Sequence, residues 1–576
     1  MPGDSILINT RATIKNTYDA IVVGSGISGG WAAKELCEKG LKTLVLERGR
    51  DVVHIKDYTD TSKNLWELPH RGGITQEDRR INPIQTKVYA YNEVSKHFLV
   101  NDQNHPYIQK KPYIWIRGYQ VGGRSLVWGR MCLRFSDLDF EANLKEGVGV
   151  DWPIRYKDLA PWYDYVEKFV GVSGNRDGIA HLPDGCFMPA MEMNCMEKEI
   201  AKRMQVVYNE ERQLIIGRTA NHTHKIGDRG PCQYRNKCEQ GCPFGGYFSS
   251  NSATLPAAMK TGKLTLRPFS IVSEVLYDNE KKKAIGVRII DTETLKTEEF
   301  YARVIFLNVS TINTAALLLR SVSDAFPEGL GNSSGHVGHN LMDHHKAVGA
   351  TGKIEGFEDR YYHVRKPTGT YIPRFRNISK DTMHPDFIRG YGYQTSAARS
   401  GWSGRADQPE LGSGLKDVLT EPGSWSFELA GFGETLPYFD NKVYLDRDKK
   451  DKWGLPLVGI DFEMKENEKK MRKDMAASAV EILEKLGGKE INSYDDANKP
   501  GERIFSIHDM GVARMGRNPK SSVLNGHNQM HDVKNVFITD GSCMASAGCQ
   551  NPSLTYMALT ARACDFAVQE LKKGNL

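Results

Sequence analysis

Tyr18-Asp-Ala-Ile-Val-Val-Gly24-Ser-Gly26-Ile-Ser-Gly29-Gly30-Trp-Ala-Ala-Lys-Glu-Leu-Cys-Glu-Lys-Gly40, followed by Lys42-Thr-Leu-Val-Leu-Glu47, reads as strand, glycine turn, helix and second strand ending on an acid. Each glycine has a mechanical reason: Gly24 permits the tight turn, Gly26 lets the backbone approach a pyrophosphate, and Gly29 lets helix pack on strand. The helix N-terminus, including Ile27 and Ser28, offers free N–H groups to the phosphates. Glu47, about 20 residues on, is placed to take ribose hydroxyls. Glu47-Arg48 closes the segment. The pattern predicts a dinucleotide-binding α/β fold, and alone it does not separate a flavin from a nicotinamide cofactor.

Working outward, Arg117-Gly118-Tyr-Gln-Val-Gly122-Gly123-Arg124-Ser125-Leu-Val127-Trp128 pairs glycines before a bulky apolar segment, as backbone packed against a flat ligand would need. Leu264 to Tyr277 alternates as one strand, passing Val272, and Ala284 to Ile290 continues it as a meander around a solvated turn at Lys281-Lys282-Lys283. Val304 to Leu319 is a buried strand, a small-residue turn and an apolar helix, which adds a layer to the nucleotide domain. Between about 346 and 500 short strands and many aromatics (Tyr361, Tyr362, Tyr371, Tyr391, Tyr393, Trp402, Trp425, Phe427, Tyr438) predict an antiparallel sheet roofing the site. Most of these rings read as sheet packing rather than sugar platforms. Glu463 to Leu486 is an amphipathic helix with a solvated face.

The C-terminal part carries the chemistry. His508 stands 43 positions before Asn551, and Val533 to Asp540 reads as a strand ending on Asp540-Gly541-Ser542. Pro552 at a first helical position makes Asn551 the expected cap of a helix whose positive end faces a group that becomes anionic. His344 and His345 lack the spacing of a metal set and read as structural or ribose-proximal.

Cys232, Cys238 and Cys242 are spaced C-x5-C-x3-C among glycines and Pro243. Zinc would call for a fourth ligand, with His222 and His224 upstream. Three thiolates around an iron–sulfur cluster with one vacant corner is the sharper reading. A disulfide with an odd thiol, or a packed loop without metal, are the alternatives.

With 576 residues, 40% hydrophobic and 26% charged, the chain is enzyme-like and long enough for two domains. A net charge of +6, without basic runs interleaved with aromatics, argues against nucleic acid as partner. No apolar run reaches the roughly 18 residues of a membrane span, so direct membrane insertion is not expected. The N-terminal residues show no basic region followed by an apolar core, and no export signal is expected on this chain.

Together these motifs resemble the glucose–methanol–choline (GMC) oxidoreductase family: the Gly24/Gly26/Gly29 turn with Glu47, Val121-Gly122-Gly123, Asn313-Thr314 before an apolar helix, Gly335-x-Val-Gly338, His508-x-x-Gly511-x-x-Arg-Met-Gly516, Asp540-Gly541-Ser542 and Asn551-Pro552. The resemblance implies an α/β (α+β overall) GMC fold, with a Rossmann-like FAD-binding domain and an antiparallel-sheet substrate domain. The FAD-binding domain is expected from residues 15–50, 110–135, 254–345 and 505–576. A covering segment is expected at 51–109, a helical and loop region at 136–253 with the cysteine segment at 230–246, and the substrate domain at 346–504.

It further implies His508 and Asn551 as the catalytic pair over the flavin. FAD contacts carry onto Gly24, Gly26, Ile27, Ser28, Gly29, Glu47, Arg48, Gly122, Gly123, Ser125, Val127, Trp128, Val272, Asp540, Gly541, Asn551 and Pro552. The cysteine spacing is similar to large subunits of bacterial sugar dehydrogenases, glucoside 3-dehydrogenases among them, which implies a 3Fe-4S cluster on Cys232, Cys238 and Cys242. That branch implies a sugar or glycoside substrate, a small subunit, and a cytochrome c or quinone acceptor. The expected compartment is bacterial, either periplasmic by export with a partner or cytoplasmic.

The C-terminus is also similar to pyranose 2-oxidase, whose flavin-attaching histidine position is Val127 here, so FAD is expected to bind non-covalently. Val309-Ser310 replaces the usual Ala-Gly before the Asn-Thr helix. The expected reaction is oxidation of a sugar secondary hydroxyl, C3 of glucosides first. An oxidase using O2 and a dehydrogenase acting at the anomeric carbon are the alternatives.

Overall fold

In the nucleotide half, Thr17–Val23 and Thr43–Leu46 are apolar runs buried on both faces, as parallel strands covered by helices must be. The computed structural model describes residues 16–360, 367–399, 401, 411–496 and 504–576. Their sheet has the order Leu264–Arg267, Thr43–Leu46, Thr17–Val23, Thr297–Leu307, Lys283–Asp291, Ser270–Asp278. Val536–Ile538 pairs in parallel beside the end of Thr297–Leu307. The strands from Leu264–Arg267 to Thr297–Leu307 run parallel, and the other two extend the sheet as an antiparallel hairpin turned at Lys281–Lys282.

The single strand expected from Leu264 to Tyr277 is broken. Pro268 has no N–H to give a ladder, and Phe269 takes a φ of +56°. The chain then folds over the end of the Glu47 strand: Ser270 N donates to Glu47 O at 2.8 Å. This turn brings Ser270–Val272 to the mouth of the site. Helix Ile27–Glu38 packs beside the C-terminal helix Ser553–Lys573, with Lys39 and Asp565 paired across them at 2.8 Å.

The roof is a second seven-stranded sheet, antiparallel throughout. Its order is Lys489–Asp495, Val348–Ile354, Trp425–Glu434, Tyr391–Arg399, Thr370–Ile372, Ile215–Ile216, with His344–His345 also pairing Trp425–Glu434. Two of these strands come from outside the segment expected to form this domain. Ile215–Ile216 lies in the expected loop region and His344–His345 in the expected nucleotide domain, because β pairing rather than chain proximity assigns a strand. Helix Glu466–Lys485 covers the sheet, burying Met471, Met475, Ala479, Ile482 and Leu483.

Tyr391, Tyr393, Trp425 and Phe427 are buried among these layers, and Tyr371 is buried with Met131, Leu133, Leu182 and Ile215, so they pack the roof rather than present rings to a ligand. Tyr361, Tyr362 and Trp402 lie outside the described residues. Among the described residues no helix is long and apolar enough to cross a membrane.

Candidate active site

The glycine turn shows three different environments. Gly24 has φ +92°, and a Cβ there would sit 2.3 Å from Asn308 O. A Cβ on Gly29 would sit 1.9 Å from Gly24 O, so helix and strand touch backbone to backbone. A Cβ on Gly26 would meet nothing within 4 Å. Gly26 borders open space at the start of Ile27–Glu38, a helix with no side chain capping its first turn. That is a cradle for an anion. On the adjoining wall Asn308 Nδ2 is buried without a partner, an orphan donor that a phosphate or ribose oxygen would satisfy. The residues present therefore fit a dinucleotide.

Glu47 is held by Ser25 Oγ at 2.6 Å and by the N–H groups of Ser25 and Gly49 at 3.2 and 3.0 Å. Burial pushes its carboxyl up, with those donors opposing. Beside it the Arg48 guanidinium stacks over Tyr119 at 4.0 Å.

A cleft of about 1680 Å³, open mouth included, runs from this turn to the C-terminal motifs. Of the residues expected at the cofactor, Gly24, Gly26, Ile27, Ser28, Glu47, Arg48, Gly123, Ser125, Val127, Trp128, Val272, Asp540, Gly541 and Asn551 line it. Gly29, Gly122 and Pro552 do not. Gly29 is sealed against Gly24, and a Cβ on Gly122 would strike Asn251 Oδ1 at 1.7 Å. Gly123, with its φ of +51°, instead faces Gly26. Asp540 accepts from Thr314 Oγ1 at 2.7 Å and from Ser542 N at 3.0 Å, and burial raises its pKa. Ser310 takes φ +76°, a conformation that favours glycine, and enters the same wall.

At the far end four side chains from four chain segments meet. His508 Nε2 lies 3.4 Å from Asn551 Nδ2. Its Nδ1 lies 2.8 Å from Nδ1 of His344. His344 Nε2 reaches Gly548 O at 2.9 Å and Ala547 O at 3.3 Å. Gln394 Nε2, from roof strand Tyr391–Arg399, donates to Asn551 Oδ1 at 2.9 Å. Asp343 anchors the backbone, accepting from the N–H groups of Ile507, His508 and His344 at 2.9, 2.8 and 2.7 Å. Burial first, and then the nearness of the His344 ring and of the Lys346 and Arg124 cations, holds the His508 imidazole well below its ordinary pKa, so it is neutral near pH 7. Lys346 itself is brought down to about 8 by burial.

One expectation is corrected here. Asn551 does not cap the following helix. That helix begins at Ser553, Pro552 takes the half-in position with no side-chain cap, and the Asn551 amide is committed to Gln394 and His508. His344, expected to be structural or ribose-proximal, stands against His508. Nothing in its local sequence announces this, because the contact spans 164 positions. Gln394 was missed for the same reason.

The three thiols are unpaired and half-buried on one loop. Each has an N–H donor aimed at sulfur: Tyr234 N on Cys232 at 3.4 Å, Asn221 Nδ2 on Cys238 at 3.9 Å and Gly246 N on Cys242 at 3.3 Å. Burial pushes the Cys232 thiol up to about 11, and negative charge on Cys238 or Cys242 adds to the rise. Burial raises the Cys238 thiol as well, with the charge of buried Arg130 opposing, and Arg130 also lines the cleft. Such a donor-rich loop suits thiolates that share a polynuclear centre.

A single-ion site is a different matter. Among the described residues the only acid, His or Cys group meeting within 4.8 Å is Asp164, Glu167 and Cys186. There Arg134 Nε already holds Glu167 at 2.8 Å, and its cation opposes another. His222 Nε2 is bonded to Val170 O at 3.0 Å and Arg229 Nη1 at 3.1 Å, and among the described residues no group of three close ligand atoms brings His222 together with the cysteines.

The chain is similar to known proteins over nearly its whole length. The profile described as GMC oxidoreductase matches residues 18–346 with its N-terminal part and 437–560 with its C-terminal part. Over 572 residues the chain is 28% identical to the 2-methyl-1,2-propanediol dehydrogenase of Mycolicibacterium austroafricanum, covering 96% of each. It is 25% identical to the fructose dehydrogenase large subunit of Gluconobacter japonicus, covering 96% of this chain and 98% of that one. The formate oxidase of Aspergillus oryzae shares the fold, with a TM-score of 0.61 at 14% identity over 98% of this chain and all of the other.

Proposed function

The chain belongs to the GMC oxidoreductase family, flavoproteins acting on CH–OH groups, and on that premise we propose that it is a FAD-dependent dehydrogenase of sugar or glycoside hydroxyls, the C3 hydroxyl of glucosides foremost. The observation that carries this reading is the meeting of His508 Nε2 and Asn551 Nδ2 at 3.4 Å, at the opposite end of the cleft from the anion cradle. When bound, FAD supplies a two-electron acceptor that takes the substrate's C–H hydrogen as hydride. The chain's own residues handle the other hydrogen. Neutral His508 accepts the hydroxyl proton at Nε2 as the carbon–oxygen double bond forms. Asn551 Nδ2 donates to the substrate oxygen while it carries alkoxide charge, and a donor so placed contributes about 3 kcal/mol to the transition state. Arg48, Gly26 and the Ile27–Glu38 helix end hold the nucleotide. Val127 carries no nucleophile, which keeps the FAD non-covalent.

Cys232, Cys238 and Cys242 would hold a 3Fe-4S cluster, which supplies one-electron transfer when bound. Their spacing and the N–H donors on each sulfur support this, and the acceptor in this reading is a cytochrome c or quinone reached with a small subunit. Arg130, shared by the cysteine loop and the cleft, links the two centres. The test is anaerobic titration of the purified protein with methyl glucoside, following flavin absorbance. Bleaching supports a ring or primary hydroxyl, and product NMR locates the carbonyl. Bleaching by free glucose alone moves the reaction to the anomeric carbon. No bleaching by either removes glucosides from the proposal. Iron and acid-labile sulfide per FAD test the cluster.

A further inference from the structure

The contacts around His508 form a chain with one direction. It starts from acceptors that cannot donate: the carbonyl oxygens of Gly548 and Ala547 require a proton on His344 Nε2. With His344 neutral, its Nδ1 carries only a lone pair. The 2.8 Å contact between the two Nδ1 atoms then requires the proton to sit on His508 Nδ1. That leaves His508 Nε2 as a bare lone pair. It faces Asn551 Nδ2, a donor, and Gln394 Nε2 donates to the Oδ1 of the same amide. From Gln394 through Asn551, His508 and His344 to the Gly548 carbonyl, every group donates to the next.

We infer that His344 and Gln394 are positioning residues. His344 holds His508 in the tautomer whose Nε2 is free to take a proton, and Gln394 holds the Asn551 amide with its N–H groups toward that nitrogen and the substrate oxygen. This deepens the proposed function and rests on its placing of His508.

The reversed chain would need a second proton on His344. The groups facing the pair oppose it. Lys346 and Arg124 add positive charge at His508, and His344 is 1% exposed. Two acids stand near His344 and favour that proton, but both are engaged: Asp343 accepts from the N–H groups of Ile507, His508 and His344, and one Glu434 oxygen accepts from Ala547 N at 3.1 Å. The ring of carbonyls, amide and imidazoles is closed on itself by sequence: Ala547 and Gly548 lie just before Asn551, so the loop that offers the catalytic amide also anchors the far end of the chain. The roof sheet supplies both Gln394 and His344, whereas His508 and Asn551 come from loops beneath it. The site is thus complete only when the two halves are packed together.

The decisive experiment needs no substrate. Ring nitrogens of histidine are read by 15N NMR in FAD-loaded protein carrying labelled histidine, with His508 assigned from the signals lost in His508→Gln. The wild type is expected to show a protonated Nδ1 and an unprotonated Nε2 on His508 at pH 7. His344→Leu, which removes the acceptor, is expected to move the proton to Nε2 in a large share of molecules. His344→Asn, whose Oδ1 can still accept, is expected to keep it on Nδ1. A wild-type His508 protonated at Nε2 overturns the inference without a variant having to fold, and so does a His344→Leu spectrum identical to wild type. In anaerobic flavin bleaching, His344→Leu and Gln394→Leu are expected to slow the rate constant roughly 10²-fold and 10-fold respectively, with half-saturating substrate changed less than twofold. If His508→Ala bleaches at the wild-type rate, the proposed function fails. If it does not bleach while His344→Leu bleaches normally, the function stands and only the positioning role is lost.

Discussion

The glycine turn and the His508 site are both built for one cofactor, yet they are assembled in opposite ways. The turn is local: strand, loop and helix occupy residues 17 to 38, and Glu47 closes it from the next strand. The His508 site is dispersed, with His344 and Gln394 delivered by two strands of the roof sheet and His508 and Asn551 by two loops. In the turn the backbone does the work, so side-chain absence is what matters. In the dispersed site each side chain is held by another, and hydrogen-bond direction is what matters. A local site is legible as a spacing; a dispersed one becomes legible only once its members are seen to touch.

The difference is tested first at its strongest point. Replacing His508 with Ala is expected to lower anaerobic flavin bleaching roughly 10³-fold while FAD remains bound. Retention of the yellow chromophore with loss of rate separates chemistry from cofactor binding. Loss of FAD in this variant would merge the two regions and break the comparison.

The next contrast lies within the turn. Gly29→Ala is expected to destabilise the fold by about 3 kcal/mol, because its Cβ meets backbone at 1.9 Å that cannot move alone. Gly26→Ala meets no protein atom, so the flavin-free protein should melt within a degree or so of wild type. Its FAD affinity is nevertheless expected to fall about tenfold or more, since the added methyl occupies the cradle. Calorimetry with flavin absorbance reads both. Equal melting losses in the two variants would mean that Gly26 is structural.

Asn551→Ala is expected to slow bleaching roughly 10²-fold, and the paired Gln394→Leu about tenfold, because the second disturbs only the orientation of the first. An effect of Gln394→Leu in the Asn551→Ala background as large as in wild type would show that Gln394 acts on something else.

The smallest effect concerns acid. Burial lowers His54 and His336 to about 4, and His105 and His222 to about 3. These groups titrate near 6.5 when unfolded. As pH falls from 6.5 toward 4 the unfolded chain binds protons that the folded chain refuses, so stability falls with pH across that window. Melting at pH 5 is expected a few degrees below melting at pH 7. Asp139, raised to about 6 by burial, works in the other direction and blunts the loss.

The roof teaches the same lesson as the dispersed site. Its aromatics are evident in the sequence, and so is an antiparallel sheet. That Tyr391 and Tyr393 face Met475 and Asp474 of the covering helix rather than a ligand follows from burial alone. Leu264 to Tyr277 looked continuous because alternation survives Pro268, but the missing N–H and the positive φ of Phe269 turn the chain into the cofactor cleft. Asn551 looked like a helix cap because Asn before Pro has that local preference. Its amide instead has two partners in tertiary space, and these outweigh one backbone N–H.

What the sequence determined by itself was whatever depends on neighbours along the chain. The phosphate turn, the parallel strands, the family motifs and the candidacy of His508 and Asn551 all fall in that class, because backbone geometry and period are set within a few residues. What only the tertiary structure decided was everything set by contact across the chain. His344 was brought against His508, the Asn551 amide was turned by Gln394, and the cysteine loop was seated beside Arg130 at the cleft. A hydrogen bond is specified by distance and direction between two groups, and neither is written in the separation of two residues along a chain.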